Sequence, residues 1–262
     1  MNYKKIANNI RKTVLKMVFE AQTSHIGSNF SAIDILTVLF EKINLKQDKL
    51  IISKGWVAAS IYAFLERKGY ISKKDLESFC QSGSKFIGLI EPLGLPGCEF
   101  SGGSMGYGLP AGVGFALAKR LKNEQGKVYV LMSDGEQAIG TTWESALIAA
   151  HHKLDNLVVI VDDNGFQAMG RVEEILSTRL LQSKWRSFDW GVATVNGHNY
   201  KLIEQWLKNA NKYKGKYWEG LPKCIIAETI KGKGVSFMEN NNEWHYRQLD
   251  KRNYELAKKE LG

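Results

Sequence analysis

With 262 residues and 44% hydrophobic content, the chain has ample length to bury a core, and at 24% charged residues it carries no long polar tract of the kind that stays unfolded. No stretch approaches the ~18 consecutive apolar residues of a membrane span. The net charge of +9 raises nucleic acid as a partner, but Lys and Arg are scattered, and their densest clusters, Lys208–Lys216 and Lys251–Lys259, read as solvated faces of helix-like segments.

In chain order, Ile6, Ile10, Val14, Met17, Val18 and Ala21 recur at helical spacing over residues 4–22, interrupted by Asn, Arg and Lys; this is an amphipathic helix rather than a signal peptide. Ser31 is placed to cap a helix over Ala32–Glu41, with Asp34 in an acidic first turn. A short strand over Lys49–Ser53 leads to a helix over Trp56–Lys68 that stops at Gly69, and Ser72–Asp75 starts another. Residues 80–110 are rich in Gly and Pro and read as one irregular loop; its apolar residues, among them Phe86, Leu89, Ile90 and Leu93, argue against disorder and for a function. From Leu109 a small-residue helix can pack close to a sheet.

The stretch Val128–Gly170 organises the rest. An apolar run, Val128–Met132, breaks at Ser133-Asp134-Gly135; a helix follows; a second run, Leu157–Val161, breaks at Asp162-Asp163-Asn164-Gly165. Two buried strands joined by a helix form a βαβ unit. Beyond it lie a helix starting near Ser177-Thr178, a strand over Trp190–Val195, a helix over Lys201–Tyr213, a strand over Lys223–Glu228, a second irregular loop over 229–248 and a terminal helix over Asn253–Leu261. The alternation predicts one α/β domain over residues 1–262, with an open, mainly parallel sheet covered by helices on both faces. Cys80, Cys98 and Cys224 form no CxxC pair, which disfavours a zinc site or disulfide framework and fits reduced thiols in the cytoplasm.

Ligands of parallel α/β folds gather beyond the carboxyl ends of strands. There, the Asp134 carboxylate, the Asn164 side-chain carbonyl and the Phe166 backbone carbonyl are candidate ligands for magnesium or calcium, with positions left for phosphate oxygens. Taken singly, Asp-Gly and Asn-Gly are also good turn formers. Ser101–Gly108 precedes a helix and lets backbone approach an anion, but its spacing is neither a Rossmann fingerprint nor a P-loop. Of five histidines, His151, His152 and His198 have structural explanations, whereas His25 and His245 lie in irregular segments and are the functional candidates.

Asp134-Gly135-Glu136 followed by Asn164 resembles the thiamine diphosphate motif. SHIGSNFSAIDIL, SGGSMGYGLPAGVGFALA and TIKGKGVSFMENNNEWH are similar to segments of transketolases, in order and across nearly the whole chain. The resemblance implies the pyrophosphate-binding subunit of a split transketolase. It implies that Asp134, Asn164 and Phe166 hold the metal, that Gly135 and Glu136 adjoin the diphosphate, that Gly103 and Met105 lie beside the cofactor rings, and that His25 and His245 are catalytic and contact the cofactor. It implies two-carbon transfer from a ketose or 2-oxo acid to an aldehyde or ketone, and an α2β2 assembly with a pyrimidine-binding C-terminal partner subunit. Decarboxylating acyl transfer, of the deoxyxylulose phosphate synthase or acetoin-forming type, and a non-catalytic partner role are the alternatives.

Three positions depart from the family pattern. Trp56 follows Ser53-Lys54-Gly55 where the family has His, Gly88-Leu89-Ile90-Glu91 lacks a histidine, and Ile139 stands where Glu is common. A pocket lined by Trp56, Leu89 and Ile90 is expected to favour a donor less hydroxylated at its reacting end than a sugar phosphate.

Overall fold

The strand residues are apolar on both sides, so both faces of the sheet must be covered. The computed structural model describes residues 1–103, 105–178, 180–209 and 219–262. Its helices are α1 Tyr3–Glu20, α2 Ile26–Lys42, α3 Ala58–Arg67, α4 Lys73–Glu77, α5 Gly108–Leu121, α6 Gly140–His151, α7 Val172–Ile175, α8 Leu181–Ser187, α9 Tyr200–Asn209 and α10 Lys251–Leu261. The strands are β1 Lys49–Ile52, β2 Val128–Ser133, β3 Leu157–Asp163, β4 Gly191–Asn196 and β5 Lys223–Glu228. They pair in parallel in the order β1-β2-β3-β5-β4.

The two-residue period of a strand divides the apolar residues between two cores. Leu50, Ile52, Leu131, Val158, Ile160 and Ile225 pack with α1, α2, α3, α9 and α10. Ile51, Val130, Met132, Val159, Val161 and Ile226 pack with α5, α6 and α8. The open parallel sheet with helices on both faces is thus the expected architecture. Among the described residues no helix is long and apolar enough to cross a membrane.

Local signals set several element ends. Asn2 accepts from the Lys5 N–H at 3.0 Å to start α1, and Ser72 with Asp75 forms a reciprocal capping box at α4. Two predictions around α2 are corrected. The helix begins at Ile26, not after Ser31, and every residue from Ile26 to Phe40 is buried. Ser31 therefore lies inside a core helix and donates to Asp162 at 2.7 Å. Asp34 is no first-turn acid: its carboxylate accepts from Arg11 at 2.8 and 3.0 Å and Tyr200 at 2.6 Å, and pairs with His198 Nδ1 at 2.7 Å. Packing of a whole helix against its neighbours outweighed a local capping preference. Helix α8 starts at Leu181 rather than near Ser177-Thr178, after the left-handed Leu180 (φ 61°). The predicted helix past Asn209, to Tyr213, and the remainder of the Lys208–Lys216 cluster lie outside the described residues.

The irregular loop after α4 is pinned to the sheet by backbone contact. Ile90 N–H donates to the Gly55 carbonyl at 3.3 Å, and Gly102 N–H to the Ile90 carbonyl at 2.9 Å. A Cβ on Gly102 would stand 2.6 Å from the Ile52 carbonyl oxygen, so only glycine lets the loop come this close.

Burial acts to raise the Asp34 pKa, but the hydrogen bond with His198 and the Arg11 charge override it and hold the carboxyl well below its usual range. Asp34→Ala strands the Arg11 guanidinium, itself 6% exposed. The expected cost is about 3–5 kcal/mol, read from urea unfolding, the size found when one partner of a buried pair is removed.

Candidate cofactor site

The β2–β3 register, running from Val128↔Leu157 to Ser133↔Asp162, ends the two strands level with each other. Their exit turns are therefore adjacent. Asp134 accepts from its neighbour Gly135 N–H at 2.8 Å and, across the gap, from Gly165 N–H at 2.6 Å. Asn164 donates Nδ2 to Ser31 Oγ at 3.4 Å and accepts from Phe166 N–H at 3.1 Å, which orients its amide. Burial and the nearby Asp163 push the Asp134 carboxyl up to about 7, with Lys54 acting in the opposite sense. A hard divalent cation would relieve this crowding of acids, and the oxygen donors offered are the kind it takes.

Beside these turns lies a cavity of about 320 Å³ lined by His25, Lys54, Trp56, Met105, Gly135, Asn164, Phe166, His245 and Tyr246, among others. Two nearly fully buried lysines flank it. Lys54 forms an ion pair with Asp162 and reaches Ser31 Oγ at 3.2 Å. Lys231 donates to Asn242 Oδ1 at 2.5 Å, bonds His245 Nδ1 at 2.9 Å and sits 5.5 Å from the centre of the Phe166 ring. Burial and the Lys54 charge push Lys231 down to about 7. Two buried lysines beside a candidate set of metal-ligating oxygens suit a diphosphate, so the residues present fit a metal–diphosphate group.

The two histidines meet at this cavity. His25 is the N-cap of α2 in a left-handed conformation (φ 69°), and its N–H donates to the His245 carbonyl at 2.9 Å. Its ring stacks on Trp56 with centroids 4.2 Å apart and 11° between planes, and meets His245 edge-on at 4.8 Å. Burial, then the Lys231 and Lys54 charges, hold His25 down to about 4; burial, Lys231, His25 and Lys54 hold His245 down to about 3. Both imidazoles are neutral at ordinary pH.

A family model described as "Transketolase, thiamine diphosphate binding domain" matches residues 2–262. The chain belongs to this transketolase family. It is 35% identical to a subunit of the apulose-4-phosphate transketolase of Phocaeicola vulgatus, over 96% of this chain and 91% of that one. It is 31% identical to the 6-deoxy-6-sulfo-D-fructose transketolase subunit SqwG of a Clostridium species, over 97% and 94%. The crystal structure of transketolase from Campylobacter jejuni superposes with a TM-score of 0.91 at 31% identity, covering 100% of this chain and 43% of that one. The chain thus spans about two fifths of the length of the solved transketolases it matches.

Within this transketolase domain, some predicted site residues take other places. Glu136, expected beside the diphosphate, is fully buried; its carboxylate accepts from Ser53 Oγ, from Gly106 N–H at 2.7 Å and from Ser133 N–H at 2.8 Å. It ties the glycine loop to the ends of β1 and β2 instead of facing the cavity. Ile90 is also corrected: it is wholly buried in the first core, because the loop that carries it folds back onto α3. Leu89 is half-buried, with its carbonyl accepting from Tyr62 at 3.1 Å; like Gly103, it is not part of the cavity lining. His198 is structural, bridging Asp34 and the Ile230 N–H. Lys54, Lys231 and Tyr246 were not singled out from sequence. The signal for the lysines was their setting, each next to glycine in segments already thought functional; Tyr246 offered only its place beside His245.

The neutral histidines have a consequence for stability. In the unfolded chain they titrate near pH 6.5, so between about 6.5 and 4 the unfolded state binds more protons and stability falls as pH falls. A His25→Gln/His245→Gln double variant should lose less stability than the parent over that window in urea titrations. Equal losses would mean that the histidines are not held neutral.

Proposed function

We propose that this chain is one thiamine diphosphate-binding domain that transfers a two-carbon unit from a ketose or 2-oxo acid donor to an aldehyde or ketone acceptor. The observation that carries the reading is one cavity at the strand ends lined by Asn164, Phe166, Lys54, His25 and His245, with Asp134 bonded behind it to Gly135 and Gly165 and Lys231 to His245. Asp134, Asn164 and the Phe166 carbonyl would hold magnesium or calcium; Gly135 and the two lysines would hold the diphosphate. When bound, thiamine diphosphate supplies the carbon nucleophile for making and breaking bonds beside a carbonyl. His25 and His245 bring neutral ring nitrogens to the cavity, suited to hydrogen bonding with developing oxyanions and to proton transfer. The other half of the site is assigned to a pyrimidine-binding partner subunit in an α2β2 assembly, in keeping with relatives named as subunits. A cytoplasmic location accords with the free cysteines.

Asp134→Ala should abolish measurable binding of thiamine diphosphate with magnesium in calorimetry of the chain together with its partner subunit. Unchanged affinity would remove the assignment.

The donor is inferred to be poor in hydroxyls at its reacting end, such as pyruvate or a deoxy-ketose. Trp56 favours this, because its indole covers the face of His25 and leaves an apolar wall. The relatives' names specify different ketoses, so the shared fold leaves donor choice open. In the reconstituted complex, pyruvate should outperform xylulose 5-phosphate and hydroxypyruvate. Trp56→His should move that ratio toward the hydroxylated donors by about tenfold or more, since an added hydrogen-bonding group rewards a donor hydroxyl. Strong preference of the parent complex for xylulose 5-phosphate would defeat the idea.

A further inference from the structure

Both cavity histidines have Nδ1 engaged by a protein group, but the two groups differ in kind. Ser24 Oγ lies 2.7 Å from His25 Nδ1, and a hydroxyl can donate or accept. At His245 the neighbour is the Lys231 amine at 2.9 Å, and an ammonium can only donate. The amine is itself aimed. Asn242 gives its Nδ2 to the Ala168 carbonyl at 3.1 Å, so its Oδ1 must face Lys231, which donates to it at 2.5 Å. Lys231 thus donates in two directions, to Asn242, which passes the bond on to the Ala168 carbonyl, and to His245 Nδ1.

We propose that Lys231 is a positioning residue that locks His245 into the tautomer with its proton on Nε2, so that His245 offers the cavity a fixed hydrogen-bond donor while His25 stays free to take or give a proton. A neutral imidazole carries one N–H; if Nδ1 accepts from Lys231, the proton resides on Nε2. His25 has no such lock, because rotation of the Ser24 hydroxyl serves either tautomer. The two neighbouring rings thereby divide the work. His245 stabilises negative charge developing on an oxygen, and His25 is the ring able to relay a proton through Nε2. The tautomer is a property of this chain by itself; only its catalytic consequence rests on the thiamine diphosphate reading.

The test is a long-range ¹H–¹⁵N correlation spectrum of the full chain with ¹⁵N-histidine, recorded across a pH series. The His245 signals are identified by their loss in His245→Gln. The expected pattern is a protonated Nε2 and an unprotonated Nδ1 at His245. In Lys231→Met the pattern should become a tautomer mixture, with the His245 pKa rising because one of the charges that hold it down is gone, while burial continues to lower it. Lys231→Arg, which keeps a donor-only cation, should restore the single tautomer. A proton on Nδ1 or a mixture in the parent chain, or no change in Lys231→Met, overturns the proposal; the parent spectrum decides even if a variant fails to fold. In the reconstituted holoenzyme, Lys231→Met should shift the acidic limb of the kcat profile to higher pH, which a merely structural lysine would not do. Failure of cofactor binding in calorimetry would sink the functional reading while leaving the tautomer result intact.

Discussion

The Lys54–Asp162 pair sits where four parts of the chain converge. Both side chains are nearly inaccessible, and a buried ion pair is retained only if its remaining hydrogen-bonding capacity is satisfied. Asp162, at the end of β3, also accepts from Ser31 on α2 and from Thr229 just after β5. Lys54 follows β1 and reaches the same serine. One carboxylate therefore binds together the core helix, the exits of β1 and β3, and the start of the loop that carries Lys231 and His245. The pair also sets the place of Trp56, two residues beyond Lys54, and through it the wall against His25.

Glu136 plays a parallel part on the other side of the strand ends. Burial raises its pKa, while Ser53 and the Gly106 and Ser133 N–H groups favour the charged form. The glycine loop can rest on these partners because Gly108 leaves room for Ser53, whose Cβ would lie 2.2 Å from any side chain there. Two buried acids thus tie together the elements that carry the cavity-lining groups.

The architecture was legible because apolar runs and breaker residues follow simple periods: the βαβ unit, the strand over Lys223–Glu228 and the irregular loops all stand where their patterns put them. That the Asp134 and Asn164 turns lie side by side was legible for a different reason, since they end the two strands of one βαβ unit. What escaped was whatever depends on the direction of a side chain. Ser31 and Asp34 looked like helix-start residues because capping is read from neighbours in sequence, whereas their partners, Asp162 and Arg11, come from other elements. Ile90 looked like pocket lining because the family resemblance puts a histidine in its segment, yet a loop stitched to Gly55 turns it into the core. Lys54 and Lys231 had only a neighbouring glycine to mark them in a basic chain; their burial is what sets them apart in the structure.

The level pairing of Ser133 with Asp162 has a consequence for how such a protein can change. Along β3 the side chains alternate, so Asp162 faces the α2 layer and Asp163 the opposite one. Loss or gain of one residue in β2 or β3 would exchange the two layers and dismantle the clamp along with both cores. The strand ends are consequently closed to insertion, and novelty enters through segments free of the pleat, among them the stretch between α4 and α5 and the one between β5 and α10. Those are the segments that carry Met105, His245 and Tyr246 to the cavity rim. The same geometry that freezes the anion clamp leaves its surroundings open to divergence.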